Sequence, residues 1–198
     1  GYFSRIAVVE ELLLKFVGLC SDSGLTSCQV VSLGAGLDTS YWKLKDRSTF
    51  NVRYFEVDLP DVAMGKARII NKQAALLGAL VSPSFATSDA SPVVIAADGY
   101  QLVKADLRDV AGVQAALDAA GIDTSLPTFF LSECVMVYME PDESGAVIKH
   151  MASTFPKAVM VVYEQVHPHD AFGQVMMRNL QVGISSSTSR LAGVHSTP

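Results

Sequence analysis

The sequence predicts an α/β fold, a mostly parallel sheet with helices on both faces. Three observations carry this. Five apolar strand-like runs alternate with segments of helical periodicity, the pattern of βα units. The first run, Gln29 to Leu33, is rich in β-branched residues and bounded by glycine, as a strand buried on both faces would be. That run feeds directly into Gly34-Ala35-Gly36, a sharp turn at the end of a strand, where such sheets receive ligands.

The elements follow in order. From Arg5 to Val17, apolar residues at Ile6, Val9, Leu13 and Phe16 recur at helical spacing, so residues 1–18 are expected to form an N-terminal amphipathic helix. A polar break, SDSGLTS, precedes the first strand. After the glycine turn, Asp38 and Thr39 are placed to cap a short helix containing Tyr41, Trp42 and Leu44. Val52 to Val57 is the second strand, closed by Asp58-Leu59-Pro60, and the proline suits the first turn of a long helix from Asp61 to about Leu80. SPSFATSDASP reads as a loop, long enough to be an insertion. Gln101 to Ala105 is the third strand, and Asp109 caps a helix over Val110 to Ala120 that Gly121 stops. Thr128 to Leu131 is the fourth strand, Pro141 to Phe155 a helix, Ala158 to Tyr163 the fifth strand, and Phe172 to Val182 the helix after it. Residues 29–182 are thus expected to form the core and residues 183–198 a polar tail, all within one domain. The chain begins at Gly1 without an initiator methionine and ends in that tail, so it is expected to be a fragment truncated at both ends of a longer protein.

Composition narrows the function classes. With 49% hydrophobic and 18% charged residues the chain is globular in character. Its net charge of -5 offers no footprint for nucleic acid and no polybasic membrane patch. No apolar run approaches the roughly 20 residues a membrane-spanning helix needs. Cys20, Cys28 and Cys134 are odd in number and lack CxxC spacing, which fits a reducing, cytoplasmic compartment. His167-Pro168-His169-Asp170 carries metal-ligand types, but nothing else in the sequence completes a site, and it reads as a solvated loop.

The chemistry is concentrated at strand ends. The first strand ends in Gly34-Ala35-Gly36, the second in Asp58, the third in Asp106 and the fourth in Glu133, all expected on one rim. Soluble loop residues would explain any one of these, but not readily all four together. A dinucleotide fingerprint needs a third glycine, and here that position is Thr39, preceded by Asp38. No Walker lysine follows, and no G-x-S-x-G elbow is present. An acidic rim suits a nucleoside ligand with a cationic centre and no phosphate, and S-adenosylmethionine is such a molecule. Asp58 lies at the offset from the glycines at which an acid reaches ribose hydroxyls, an offset shared with NAD sites.

LGAGLDTSYWKLKD, YFEVDLP, KADLRD, LSECVMVYM and YEQVHPHDAFGQVMMRNL resemble the leucine carboxyl methyltransferase family, over a span from Gly1 to about Leu180. The resemblance implies a class I S-adenosylmethionine-dependent methyltransferase fold. It is nearest to the branch that esterifies the C-terminal leucine carboxylate of the protein phosphatase 2A catalytic subunit, which makes that C-terminus the partner. It further implies that Arg5 binds the cofactor's carboxylate, Gly34 its methionyl part through the backbone, and Asp58 the ribose hydroxyls. Asp106 and Leu107 would hold the adenine and Glu133 the amino-acid end, with Tyr138 beside the transferring methyl group as the catalytic residue. Plainer readings stand beside these: Arg5 an exposed helix-start residue, Asp106 a cap, Tyr138 a core aromatic. Glu56 reads as structural. Glu164, at the end of the fifth strand, either lines the acceptor side or is structural. The expected state is a monomer without metal.

A terminal carboxylate has a pKa near ~3.5 and is ionised at neutral pH, so the reaction needs no general base. Alignment and desolvation are left to the protein, and Val135, Met136 and Tyr138 are expected to supply an apolar pocket. Two other functions compete: the transfer-RNA wybutosine methyltransferase of the same family, and a catalytically dead module that retains cofactor or phosphatase binding.

Overall fold

The computed structural model describes residues 2–167 and 169–179. The elements run α1 (Tyr2–Asp22), β1 (Cys28–Leu33), α2 (Ser40–Arg47), β2 (Val52–Asp58), α3 (Pro60–Lys72), α4 (Ala74–Ala79), β3 (Val81–Phe85), β4 (Val93–Asp98), β5 (Tyr100–Lys104), α5 (Val110–Ala119), β6 (Thr128–Glu133), a 3-10 turn (Met136–Tyr138), α6 (Pro141–Thr154) and β7 (Ala158–Tyr163). Residues 171–179 are helical as expected, whereas 180–182 and the polar tail 183–198 lie outside the described residues.

The seven strands form one sheet in the order β3-β4-β5-β2-β1-β6-β7. The five strands expected from sequence are the parallel ones. From β1 the chain builds outward through β2 and β5 on one side, then through β6 and β7 on the other. The order therefore reverses between β1 and β6, and that is the topological switch point.

Alternation along the strands divides the core in two. Val30, Tyr54, Tyr100 and Phe129 face α1, α2 and α3, with Leu13, Trp42 and Ile70 among the buried helix residues. Val31, Phe55, Val103 and Phe130 face α5 and α6, through Leu117, Met151 and Phe155. Both faces are covered, so β1 and most of β2 are buried throughout.

Two expectations are corrected. The SPSFATSDASP segment is not a structureless loop: it contains most of β3, which pairs antiparallel with β4, and β4 pairs antiparallel with β5. β3 is a solvent-exposed edge strand, so serine and proline are tolerated there and hide it from an apolar-pattern reading. The helix expected from Asp61 to Leu80 is broken at Gln73, which takes an extended conformation (φ -98, ψ 102) and separates α3 from α4. The expected caps are more nearly met. Asp109 accepts from the Gly112 N–H at 2.9 Å, while Asp38 accepts from the Ser40 N–H at 3.2 Å and its hydroxyl at 2.9 Å. Thr39 occupies the N-cap position of α2 without a side-chain bond.

Candidate functional site

Because β1, β2, β5 and β6 are parallel, their carboxyl ends meet on one rim. Register fixes more than the rim. Ser32 lies beside Glu56 on β2 and beside Leu131 on β6. Two residues further along, Asp58 and Glu133 therefore lie on the same face of the sheet, the one covered by α1, α2 and α3.

A cavity of about 360 Å³ opens at the switch point, between the glycine turn, the start of α1 and the end of β6; Arg5, Gly34, Gly36, Asp38, Lys43 and Glu133 contribute to its walls. The turn is held from below. The Gly34 N–H donates to the Val57 carbonyl at 2.8 Å, the Gly36 N–H to Asp58 Oδ2 at 2.6 Å, and Lys66 Nζ to the Asp38 carbonyl at 2.7 Å. Gly34 adopts φ +68, and a Cβ there would sit 2.5 Å from Val135 Cγ2, so the backbone requires glycine on two counts. The result is a bare stretch of main chain against which a ligand can lie.

Charge in the cavity is mixed. Arg5 Nε lies 3.3 Å from Glu133 Oε2, and Arg5 Nη1 donates to Cys134 Sγ at 3.4 Å. Burial pushes the Glu133 carboxyl up, and Asp38 adds to this, while Arg5 and Lys43 oppose it. Beneath the turn, Glu56 and Lys66 form a buried pair at 2.5 Å, and the Tyr100 hydroxyl donates to Glu56 Oε2 at 2.7 Å. Burial raises Glu56 to about 7 against the pull of Lys66 and Tyr100. Glu56 is thus a structural support of the turn, one pleat below Asp58.

The remaining sequence-expected residues lie outside the cavity wall. Asp58 uses its two oxygens on the Gly36 and Leu59 N–H groups, the latter at 2.7 Å, and is half-buried. A carboxylate has roughly four acceptor sites, so Asp58 retains capacity for a ligand. Asp106 holds Arg108 through Nε at 2.9 and 3.1 Å and accepts its backbone N–H at 3.0 Å; this partner holds the Asp106 carboxyl below its ordinary value. The Leu107 side chain is buried in the core against α5 and α6. Tyr138 lies on the 3-10 turn after β6 and is 57% exposed. Met136 belongs to the core under that turn and Val135 packs against it, so those two side chains line the core and not an open pocket. Glu164 buttresses the site: its Oε1 accepts the Val135 and Met136 N–H groups at 2.9 and 2.8 Å. It fixes the segment after β6, where Cys134 takes φ +56.

Sequence reasoning missed Lys43 and Lys66 as parts of this site, and read Asp38 only as a cap and an acidic neighbour of the glycine turn. The signal for Lys43 was helical spacing, since it lies one turn beyond Thr39, whose carbonyl accepts its N–H at 3.3 Å. Nothing in the pattern marked Lys66 as buried.

A sheet reversed between β1 and β6, with a glycine turn followed by Asp38 and Thr39 where a dinucleotide site has its third glycine, defines a Rossmann-like methyltransferase fold. The chain belongs to the leucine carboxyl methyltransferase family, whose model matches residues 1–152. It is 40% identical over 182 residues to Leucine carboxyl methyltransferase 1 homolog of Arabidopsis thaliana, covering 91% of this chain and 53% of that protein. It is 36% identical over 183 residues to Leucine carboxyl methyltransferase 1 of Rattus norvegicus, covering 91% of this chain and 54% of that protein. It is also 37% identical over 183 residues to tRNA wybutosine-synthesizing protein 4 of Homo sapiens, covering 91% of this chain but 26% of that protein. The chain thus spans about half the length of the first two relatives.

Proposed function

We propose that this chain carries the cofactor site of an S-adenosylmethionine-dependent carboxyl methyltransferase acting on the C-terminal leucine of a protein phosphatase 2A catalytic subunit in the cytoplasm. The observation that carries the reading is the cavity itself, which brings Arg5 and Glu133 together beside the bare Gly34 turn. This donor set fits a zwitterionic amino-acid end attached to a nucleoside. It fits a pyrophosphate poorly, because Asp38 and Glu133 would oppose the added negative charge.

When bound, the cofactor supplies an electrophilic methyl group on a sulfonium. In this reading Arg5 grips the carboxylate, Glu133 holds the ammonium, and the Gly34 backbone lies along the methionyl part. Asp58 takes the ribose hydroxyls, Asp106 and Leu107 border the adenine, and Tyr138 orients the acceptor beside the methyl group. No residue is required to remove a proton, since the acceptor is already a carboxylate. Attack by an anion on a cation gives neutral products, so exclusion of water from the rim is the protein's main contribution to rate.

Likeness to a tRNA wybutosine-synthesizing protein supports transfer RNA as the rival acceptor, while the net charge of -5 weighs against it. The test is transfer of labelled methyl from S-adenosylmethionine to the phosphatase catalytic subunit with and without its final leucine. Base-labile label that depends on that leucine is expected. Label appearing in transfer RNA instead would establish the rival, and cofactor binding without transfer to either acceptor would mark an inactive binding module.

A further inference from the structure

We infer that Lys43 is a second carboxylate-binding residue of the cavity, acting with Arg5 on the amino-acid end of the cofactor. The inference rests on the cofactor reading above and assigns a residue to it. Lys43 is half-buried, lies on the cavity wall, and is near enough to Glu133 to favour its ionised form. Among the described residues its ammonium makes no ion pair and no hydrogen bond, although two carboxylates line the same cavity. A half-buried cation without a close partner is costly, and a ligand anion would complete it.

The charge inventory names the kind of ligand. Two cations, Arg5 and Lys43, face two carboxylates, Asp38 and Glu133. Both Asp38 oxygens already accept from Ser40 and keep only part of their acceptor capacity, so Glu133 is the freer acceptor for a ligand ammonium. Glu133 is paired with Arg5 across the cavity, and an amino-acid zwitterion entering between them offers a partner to each. Lys43 then supplies the second donor to the ligand carboxylate. A peptide C-terminus brings only the negative charge and would leave Glu133 facing it, so the cofactor's own carboxylate is the better match.

Calorimetric titration with S-adenosylhomocysteine and with 5′-methylthioadenosine separates the possibilities, since the second ligand keeps the nucleoside and lacks the amino-acid end. Lys43→Met should weaken S-adenosylhomocysteine binding about tenfold and leave methylthioadenosine within twofold, with Lys43→Arg restoring the loss. An unchanged melting temperature in both variants confirms that the fold is intact. Equal weakening of both ligands, no change in either, or an effect confined to KM for the protein acceptor would overturn the assignment. Wild-type protein that binds neither ligand would overturn the cofactor reading itself, and this inference with it.

Discussion

Replacing Gly34 with alanine should damage the fold and the site together, by an amount that can be worked from the geometry. At φ +68 an L-residue costs roughly 1–2 kcal/mol. The added Cβ would also meet Val135 Cγ2 at 2.5 Å and Cγ1 at 2.8 Å, distances that require something to move. Valine is stiff at χ1, and its backbone is pinned because Glu164 accepts both the Val135 and Met136 N–H groups. Overpacking of this kind costs about 1–3 kcal/mol. The sum is about 3 kcal/mol, which for a chain of this size lowers Tm by about 6–12 °C. Chemical and thermal denaturation of Gly34→Ala, alone and with Val135→Ala, is the assay. The double variant should recover the steric part and keep the backbone part. A Gly34→Ala protein within about 0.5 kcal/mol of wild type would refute the reasoning, as would full recovery in the double variant.

Glu164→Gln keeps an oxygen for the Val135 and Met136 N–H groups and should stay close to wild type, whereas Glu164→Ala orphans both and should lose about 2 kcal/mol by denaturant titration. Equal behaviour of the two variants would remove Glu164 as a buttress. Glu56, raised by burial to about 7 from 4.5, holds its proton more tightly folded than unfolded. Its contribution to stability is therefore full below about pH 4.5 and is lost as pH rises toward 7, by up to about 3 kcal/mol. Glu56→Gln should flatten that part of the pH–stability profile, and superimposable profiles from pH 4 to 8 would contradict it. Asp58→Ala removes the acceptor of the Gly36 and Leu59 N–H groups and should weaken S-adenosylhomocysteine at least about tenfold in calorimetry, whereas near-native affinity would exclude Asp58 from the site.

The parallel strands, the rim and the glycine turn were legible because each follows from local chemistry. Apolar runs mark β1 and β6, and a parallel sheet puts Asp58 and Glu133 on one rim wherever the helices lie. The β3–β4 hairpin was not legible from its outer strand, whose exposure permits Ser82, Pro83 and Ser84. The next hairpin, β4–β5, does carry a sequence mark that the sequence reading did not use: Asp98-Gly99 lies between apolar runs, and Ala97 pairs with Tyr100 across it. The buried Glu56–Lys66 pair and the cavity position of Lys43 depend on how α2 and α3 dock, which periodicity does not encode. The exposure of Tyr138 likewise arises from the 3-10 turn after the positive-φ Cys134, a feature with no sequence mark of its own.

The most direct test is a crystal structure of the protein grown with S-adenosylhomocysteine and NAD together. Density for S-adenosylhomocysteine is expected at the carboxyl ends of β1 and β6, with its carboxylate at Arg5, its ammonium at Glu133 and its ribose at Asp58. Nicotinamide density over the Gly34 turn, or S-adenosylhomocysteine bound away from those charges, would contradict the account.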